Sequence, residues 1–255
     1  MRVVLIGLLS AKGAPGVTTS SLAIAAQWPR PAVVVDADPS GGDIAAGLGG
    51  GAWPPGCHLL ELVARCRTQP LEAALRALVV RPGAHAPLVL AGLGSPAQAA
   101  AVPWATLGRG LARLDTADVV CDLGRYLHGD GNRDLAEVCD RILVVTRSSL
   151  PAVRATLRLL DLLHAGRLGA RTGLLVVAPG QPYPADEVAT ACETPLVGVL
   201  PDDPRTAAVW SDGAGAGRSL SRSPLQRAAR HVAETLASPE MSAATMPGTP
   251  GQVAS

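Results

Sequence analysis

The chain has 255 residues, of which 48% are hydrophobic and only 2% aromatic, with no phenylalanine, so it can bury one α/β-sized core built from Leu, Val, Ala and Ile. A formal net charge of +1 argues against a strongly basic nucleic-acid binder and against an acidic tail protein. Five dispersed cysteines without CxxC or metal spacing argue against a disulfide framework and for reduced thiols in the cytoplasm, with Cys121 and Cys192 serving as small hydrophobes.

Short apolar runs alternate with helical stretches along the chain, the pattern of a doubly wound, mostly parallel sheet with helices on both faces. Val3–Leu9 reads as the first strand, too short and too quickly followed by a Gly-rich turn for a signal peptide. Thr18–Gln27 is the first helix, in a stretch closed by Pro31, and Ala32–Val35 is a strand that stops at Asp36. Gly47–Gly56 reads as a loop, and Leu59–Arg67 and Leu71–Val79 as helices. Further strands are expected at Leu88–Leu90, Val119–Asp122, Ile142–Thr146, Gly173–Val177 and Val197–Leu200, none with clean alternation, as suits strands buried on both faces. Pro151–His164 carries a stripe of Val153, Leu157, Leu160 and Leu163 with Pro in its first turn. Helices at Ala185–Ala191, Arg205–Trp210 and Leu225–Leu236 complete one domain over residues 1–237. Residues 238–255, rich in Ser, Pro, Thr, Gly and Ala, read as a disordered tail.

The chemistry concentrates in Ser10-Ala11-Lys12-Gly13-Ala14-Pro15-Gly16-Val17-Thr18-Thr19, between a strand and a helix. Gly13 and Gly16 allow the backbone to curl so that successive N–H groups face one anion, and the positive end of the following helix faces the same point. Thr18 is placed to ligate Mg²⁺ and Thr19 to donate to an inner phosphate. Lys12 is the only lysine of the chain and it falls inside this loop. Asp36 and Asp38 follow the second strand, and Asp122 ends the strand Val119–Asp122 ahead of Gly124. Acids at the carboxyl ends of parallel strands face the crevice where open α/β sheets bind ligands.

The loop resembles the deviant Walker A motif K-G-G-x-G-K-T-T of the MinD/ParA family of SIMIBI-class P-loop ATPases, with Lys12 in place of the early lysine. Ala14 replaces the second glycine and Val17 the second lysine. The loss of that lysine resembles the CpaE/TadZ-like branch, which positions pilus or secretion machinery. The resemblance implies an ATP–Mg²⁺ site contacted by Lys12, Gly13, Ala14, Pro15, Gly16, Val17, Thr18 and Thr19. It assigns Thr18, Asp36 and Asp122 to the metal and Asp38 to the attacking water. It also implies that Lys12 reaches across a homodimer, that the Gly124 N–H senses the terminal phosphate, and that Pro201 lies near the base. Ala178-Pro179-Gly180-Gln181 stands where relatives carry an adenine-reading Asn-Arg pair.

Val17 removes a charge near the β/γ-phosphates, worth about 1.5–3 kcal/mol in binding and roughly 10²–10³ in rate. Weak or absent hydrolysis is therefore expected beside retained binding. The resulting reading is a dimerising nucleotide switch that localises a protein partner such as pilus, secretion or cell-division machinery. It would be cytoplasmic, with peripheral placement at the membrane or a cell pole. A partitioning ATPase acting on DNA and a nucleotide-free scaffold stay open as rivals. Arg218, Arg222, Arg227 and Arg230 form a basic face read as solvated rather than DNA-binding, and Leu225–Leu236 reads as a packing helix rather than a membrane anchor.

Overall fold

Seven apolar runs pair into a single sheet in the order β3-β2-β4-β1-β5-β6-β7, and every strand pair is parallel. The strands are β1 Leu5–Ser10, β2 Ala32–Asp36, β3 Leu88–Leu90, β4 Asp118–Arg125, β5 Arg141–Thr146, β6 Thr172–Val177 and β7 Leu196–Leu200. The computed structural model describes residues 3–12, 16–126, 132–166, 168–180, 182–217 and 219–238. The helices among them are α1 Val17–Ala25, α2 Ile44–Gly47, α3 Leu59–Arg65, α4 Leu71–Leu78, α5 Trp104–Leu111, α6 Asn132–Ala136, α7 Leu150–Ala165, α8 Ala185–Ala191, α9 Pro204–Ser211 and α10 Pro224–Ala237.

The continuous apolar strands feed two cores because successive residues point to opposite faces. Leu5, Leu9, Val33, Val35, Val119, Cys121 and Val144 meet helices α3 to α8 on one face. Ile6, Leu8, Val34, Val120, Leu143 and Val145 meet α1, α9 and α10 on the other. Cys121 and Cys192 are buried in this packing, as small hydrophobes would be.

Tertiary structure corrects several boundaries. β4 runs on to Arg125 because Ser10 of β1 pairs with it past a register shift. α1 ends at Ala25, well before Pro31, and Ala26, Gln27 and Trp28 continue in turn-type hydrogen bonds. In α7 the buried face contains Val153, Ala155, Thr156, Leu159, Leu160 and Leu163. Leu157 only flanks that core, because the helix rolls to bring Leu159 inward. α5 gave no sequence signal, since Gly108 and Gly110 lower helix propensity. Those glycines admit α6 and α4: a Cβ on Gly108 would lie 2.9 Å from Leu135 Cδ1, and one on Gly110 2.7 Å from Leu71 Cδ1. The segment after Gly47 is irregular, as expected.

Asp118 organises the amino edge of the sheet. Its Oδ1 accepts the Val4 N–H at 2.7 Å, and its Oδ2 accepts the Trp28 indole N–H and the Arg30 Nε–H, each at 2.7 Å. The carboxylate is 3% exposed, so its charge is matched inside the protein rather than by water. Asp118→Ala strands three donors and is expected to destabilise the protein by about 3–5 kcal/mol in urea unfolding. Asp118→Asn, which keeps one acceptor, should cost less.

Candidate nucleotide and metal site

The carboxyl edge of the sheet gathers the residues singled out in the sequence. Register decides the central pair: Asp36 at the end of β2 stands directly opposite Asp122 of β4. Both are 1% exposed. The neighbouring strand β1 leads to the glycine loop, so α1 begins beside the same two acids. Gly16 is the N-cap of α1 with φ 96°, a left-handed backbone that glycine adopts without strain. From the first turn of α1 the Thr18 hydroxyl donates to the Asp122 carboxylate. Gly13, Ala14 and Pro15 lie outside the described residues.

Asp36 has meagre hydrogen-bond support. Its oxygens accept from the Asp38 N–H at 3.4 Å and the Ile44 N–H at 3.5 Å, both long. Two glycines that sequence reasoning missed as site residues close around it. A Cβ on Gly42 would collide with Asp36 Oδ2, and one on Gly92 would lie 2.7 Å from Asp36 Cγ. Gly92 follows β3, the strand paired with β2, so it becomes visible only once that pairing is known.

Burial raises the Asp36 carboxyl well above the ordinary aspartate value, and the Asp122 charge raises it further, against the opposing Asp38 and Ile44 amides. Burial likewise raises Asp122, to about 6, although the Thr18 hydroxyl and Gly124 amide favour its charged form. The pair resists carrying two charges at once, and the Thr18 and Gly124 donors favour the charged form at Asp122. Asp38 is also raised, first by burial, while Ser40 donates to it through its N–H at 2.7 Å. The Asp38 side chain lies where a Cβ on Gly124 would stand, and Gly124 has φ 60°. Only glycine fits that contact and that backbone.

Other expected positions fall differently. The Gly124 N–H donates to Asp122 Oδ1 at 3.0 Å, so it is turned toward the carboxylate rather than toward a phosphate. Val17 is 6% exposed and packs into the core on the α1 face. Thr19 is half-buried in the same first turn. Lys12 is exposed and faces a groove shared with Arg125, Tyr126, Arg158 and Leu162, on the α7 side of the loop. Pro201 is half-buried beyond β7, at the sheet edge three strands from β1. Beside it Asp203 has a structural duty, capping α9 through the Thr206 N–H at 3.2 Å and accepting the Leu225 N–H at 3.3 Å. Gln181 and Arg218 lie outside the described residues. Arg230 holds Gln27 Oε1 at 2.8 Å, and the apolar face of α10 is buried against α1 and β7. No helix among the described residues is long and apolar enough to cross a membrane.

No cluster of three or more His, Cys, Asp or Glu side chains suited to a metal occurs among the described residues. The donor set is instead two buried carboxylates and a hydroxyl beside a helix N-terminus. That set fits Mg²⁺, which takes one or two carboxylates and completes its shell with water and phosphate oxygens. The under-bonded Asp36 carboxyl is the observation that favours a cation.

No family model and no curated protein matches the sequence. Solved structures do match. The septum site-determining protein MinD of Pyrococcus horikoshii, complexed with Mg-ADP, superposes with a TM-score of 0.71 at 17% identity, over 92% of this chain and 96% of that one. The chain has the MinD/ParA P-loop fold. A ParA family ATPase of Chlorobium tepidum gives a TM-score of 0.68 at 20% identity, over 92% and 98% of the two chains. A putative plasmid partition protein of Borrelia burgdorferi bound to AMPPNP gives 0.66 at 10% identity, over 92% and 98%. Within the MinD/ParA fold, the ends of β1, β2 and β4 form the central crevice of the sheet, where Thr18, Asp36, Asp38 and Asp122 converge.

The raised carboxyls set a pH dependence. A carboxyl that titrates near 6 when folded and near 3.8 when unfolded adds stability that is complete below about 3.8 and lost as pH rises through about 6. In EDTA the unfolding free energy should therefore fall by about 2–3 kcal/mol as pH is raised from about 4 to 7, and the melting temperature with it. Asp36→Asn should flatten that fall and raise the melting temperature at neutral pH. Calorimetric melts across pH check both.

Proposed function

We propose that this protein is an ATP–Mg²⁺-dependent switch that dimerises on its nucleotide and localises or regulates a partner assembly, with slow hydrolysis. One observation carries the reading: two buried carboxyl groups, the under-bonded Asp36 and Asp122 with the Thr18 hydroxyl on it, stand side by side on β2 and β4. A nucleotide's phosphates belong at the start of α1, where the helix dipole and free amides face them. Bound Mg²⁺ would supply positive charge to the phosphates and to Asp36 and Asp122. Thr18 and Asp122 would hold the cation, and Asp38 would orient the attacking water.

Val17 accounts for slow turnover. Its side chain is committed to the core, so the loop offers the phosphates no ammonium from that position. Lys12 is exposed and free to meet a second subunit, as the resemblance implies. The groove beside it combines Lys12, Arg125 and Arg158 with the half-exposed Leu162, a surface suited to a second copy or a protein partner. The CpaE/TadZ-like likeness of the loop favours pilus or secretion machinery as that partner, in the cytoplasm or peripherally at the membrane or a pole. One domain over residues 1–237, followed by a tail, suits such a switch.

ATP with Mg²⁺ at about a hundred times its Kd should add about 2.7 kcal/mol of stability in thermal melts. Thr18→Ala and Asp122→Asn should abolish that gain. Light scattering should show a nucleotide-dependent dimer that Lys12→Ala removes while single-subunit binding persists. Turnover should be slow, and Val17→Lys should raise it by roughly 10²-fold. An unchanged melt and an unchanged monomer in saturating ATP would refute the switch.

A further inference from the structure

The short helix that follows the acid-bearing loop cannot hold its own place. α2 has four residues, Ile44–Gly47, and its N-cap Asp43 makes no side-chain capping bond. Isolated helices shorter than about 12–15 residues are marginal in water, so α2 depends on what it packs against. Ile44 is its only buried residue, and the Ile44 N–H donates to Asp36 Oδ2 at 3.5 Å. The front of the segment is pinned by the Gly42 N–H, which donates to Leu93 O at 2.8 Å. Its rear rests on α9.

Two glycines far apart in sequence make that rear contact. Gly47 stands so close to the end of α9 that a Cβ there would collide with the Ser211 carbonyl oxygen. Just past α9, Gly213 meets the same joint: a Cβ on it would lie 2.9 Å from Leu48 O and 3.2 Å from Gly47 O. Gly213 has φ 64°, and the Ala214 N–H returns to Ala208 O at 3.1 Å, the six-to-one bond that stops a helix at a left-handed glycine. α9 is itself firmly seated. Asp203 caps it and also accepts the Leu225 N–H of α10, and Trp210 is 2% exposed in the core. A short helix with little support of its own thus rests against a fixed one, through main-chain atoms that leave no room for a side chain.

We propose that Gly47 and Gly213 are positioning residues for Asp36: they let the end of α9 clasp α2 and so hold the Ile44 N–H beside the Asp36 carboxyl. The clasp belongs to the ligand-free chain, whereas its effect on a cation rests on the Mg²⁺ site proposed above. Local preference gives the opposite sign for one variant. Gly47 is a helical residue and alanine is the better helix former, so by propensity alone Gly47→Ala would firm α2. The clasp requires that it loosen α2.

Amide hydrogen exchange of the full chain, without nucleotide or Mg²⁺, separates the two. In Gly47→Ala the Ile44 and Leu48 amides should exchange at least about tenfold faster than in the parent, while Val120 at the sheet centre keeps its protection. Gly213→Ala, where the crowding is milder, should act in the same direction and serves where Gly47→Ala fails to fold. Gly215→Ala, in the same loop with open space around it, should change nothing. Slower or unchanged exchange at Ile44 in the clasp variants, or equal acceleration at Val120, would overturn the clasp. A second readout is the melting shift that Mg²⁺ adds to ADP. Gly47→Ala should lose most of that Mg²⁺-dependent shift and keep the shift from ADP alone, and an undiminished Mg²⁺ shift would overturn the positioning of Asp36. A parent without any Mg²⁺ shift counts against the proposed cation site, and exchange at Ile44, whose N–H Asp36 accepts, still decides the clasp.

Discussion

Two buried carboxyl groups forced side by side, one of them short of donors, form the constraint on which the carboxyl edge of this sheet is organised. Asp36 and Asp122 face each other because β2 and β4 pair in register, and the hydrophobic cores on both faces leave neither strand room to slip. A one-residue slip would turn each strand's core side chains to the wrong face. The apolar packing therefore holds together two carboxyl groups that resist being charged at the same time. The glycines at 42, 92 and 124 are consequences of that arrangement, since any side chain there would displace Asp36 or Asp38.

The two edges of the sheet treat the same residue type in opposite ways. Asp118, at the amino end of β4, is surrounded by a backbone amide, an indole and a guanidinium, all at 2.7 Å. It is a finished structural unit. Asp36, equally buried, has two amides at 3.4 and 3.5 Å and a neighbouring acid. Burial alone does not separate a structural aspartate from a functional one; the local supply of donors and positive charge does.

On the proposed reading, Val17 stands where a phosphate loop has lost one part and kept the rest. The helix start, the Thr18 hydroxyl and the acids are fixed by backbone course and strand register, and none of them depends on the side chain at position 17. That side chain has joined the core of the α1 face, which stabilises the helix. Binding and turnover draw on different parts of such a site, so a change at one position can separate them.

The alternation of apolar runs and helices, the Gly-rich loop after the first strand, and acids at strand ends were legible in the sequence, because each is a local property of a few consecutive residues. They determined a doubly wound parallel sheet and pointed to Thr18, Asp36, Asp38 and Asp122 at one edge. Helix α5 was hidden because Gly108 and Gly110 are chosen for close packing rather than for propensity. The turn of Leu159 into the core in place of Leu157 depended on how α7 rolls on the sheet. Only the tertiary structure decided that Asp36 and Asp122 are partners, that Gly92 closes on Asp36, and that Gly47 and Gly213 meet at the joint of α2 and α9. Those relations join residues far apart in the chain. They arise from strand order and register, which no short stretch of sequence contains.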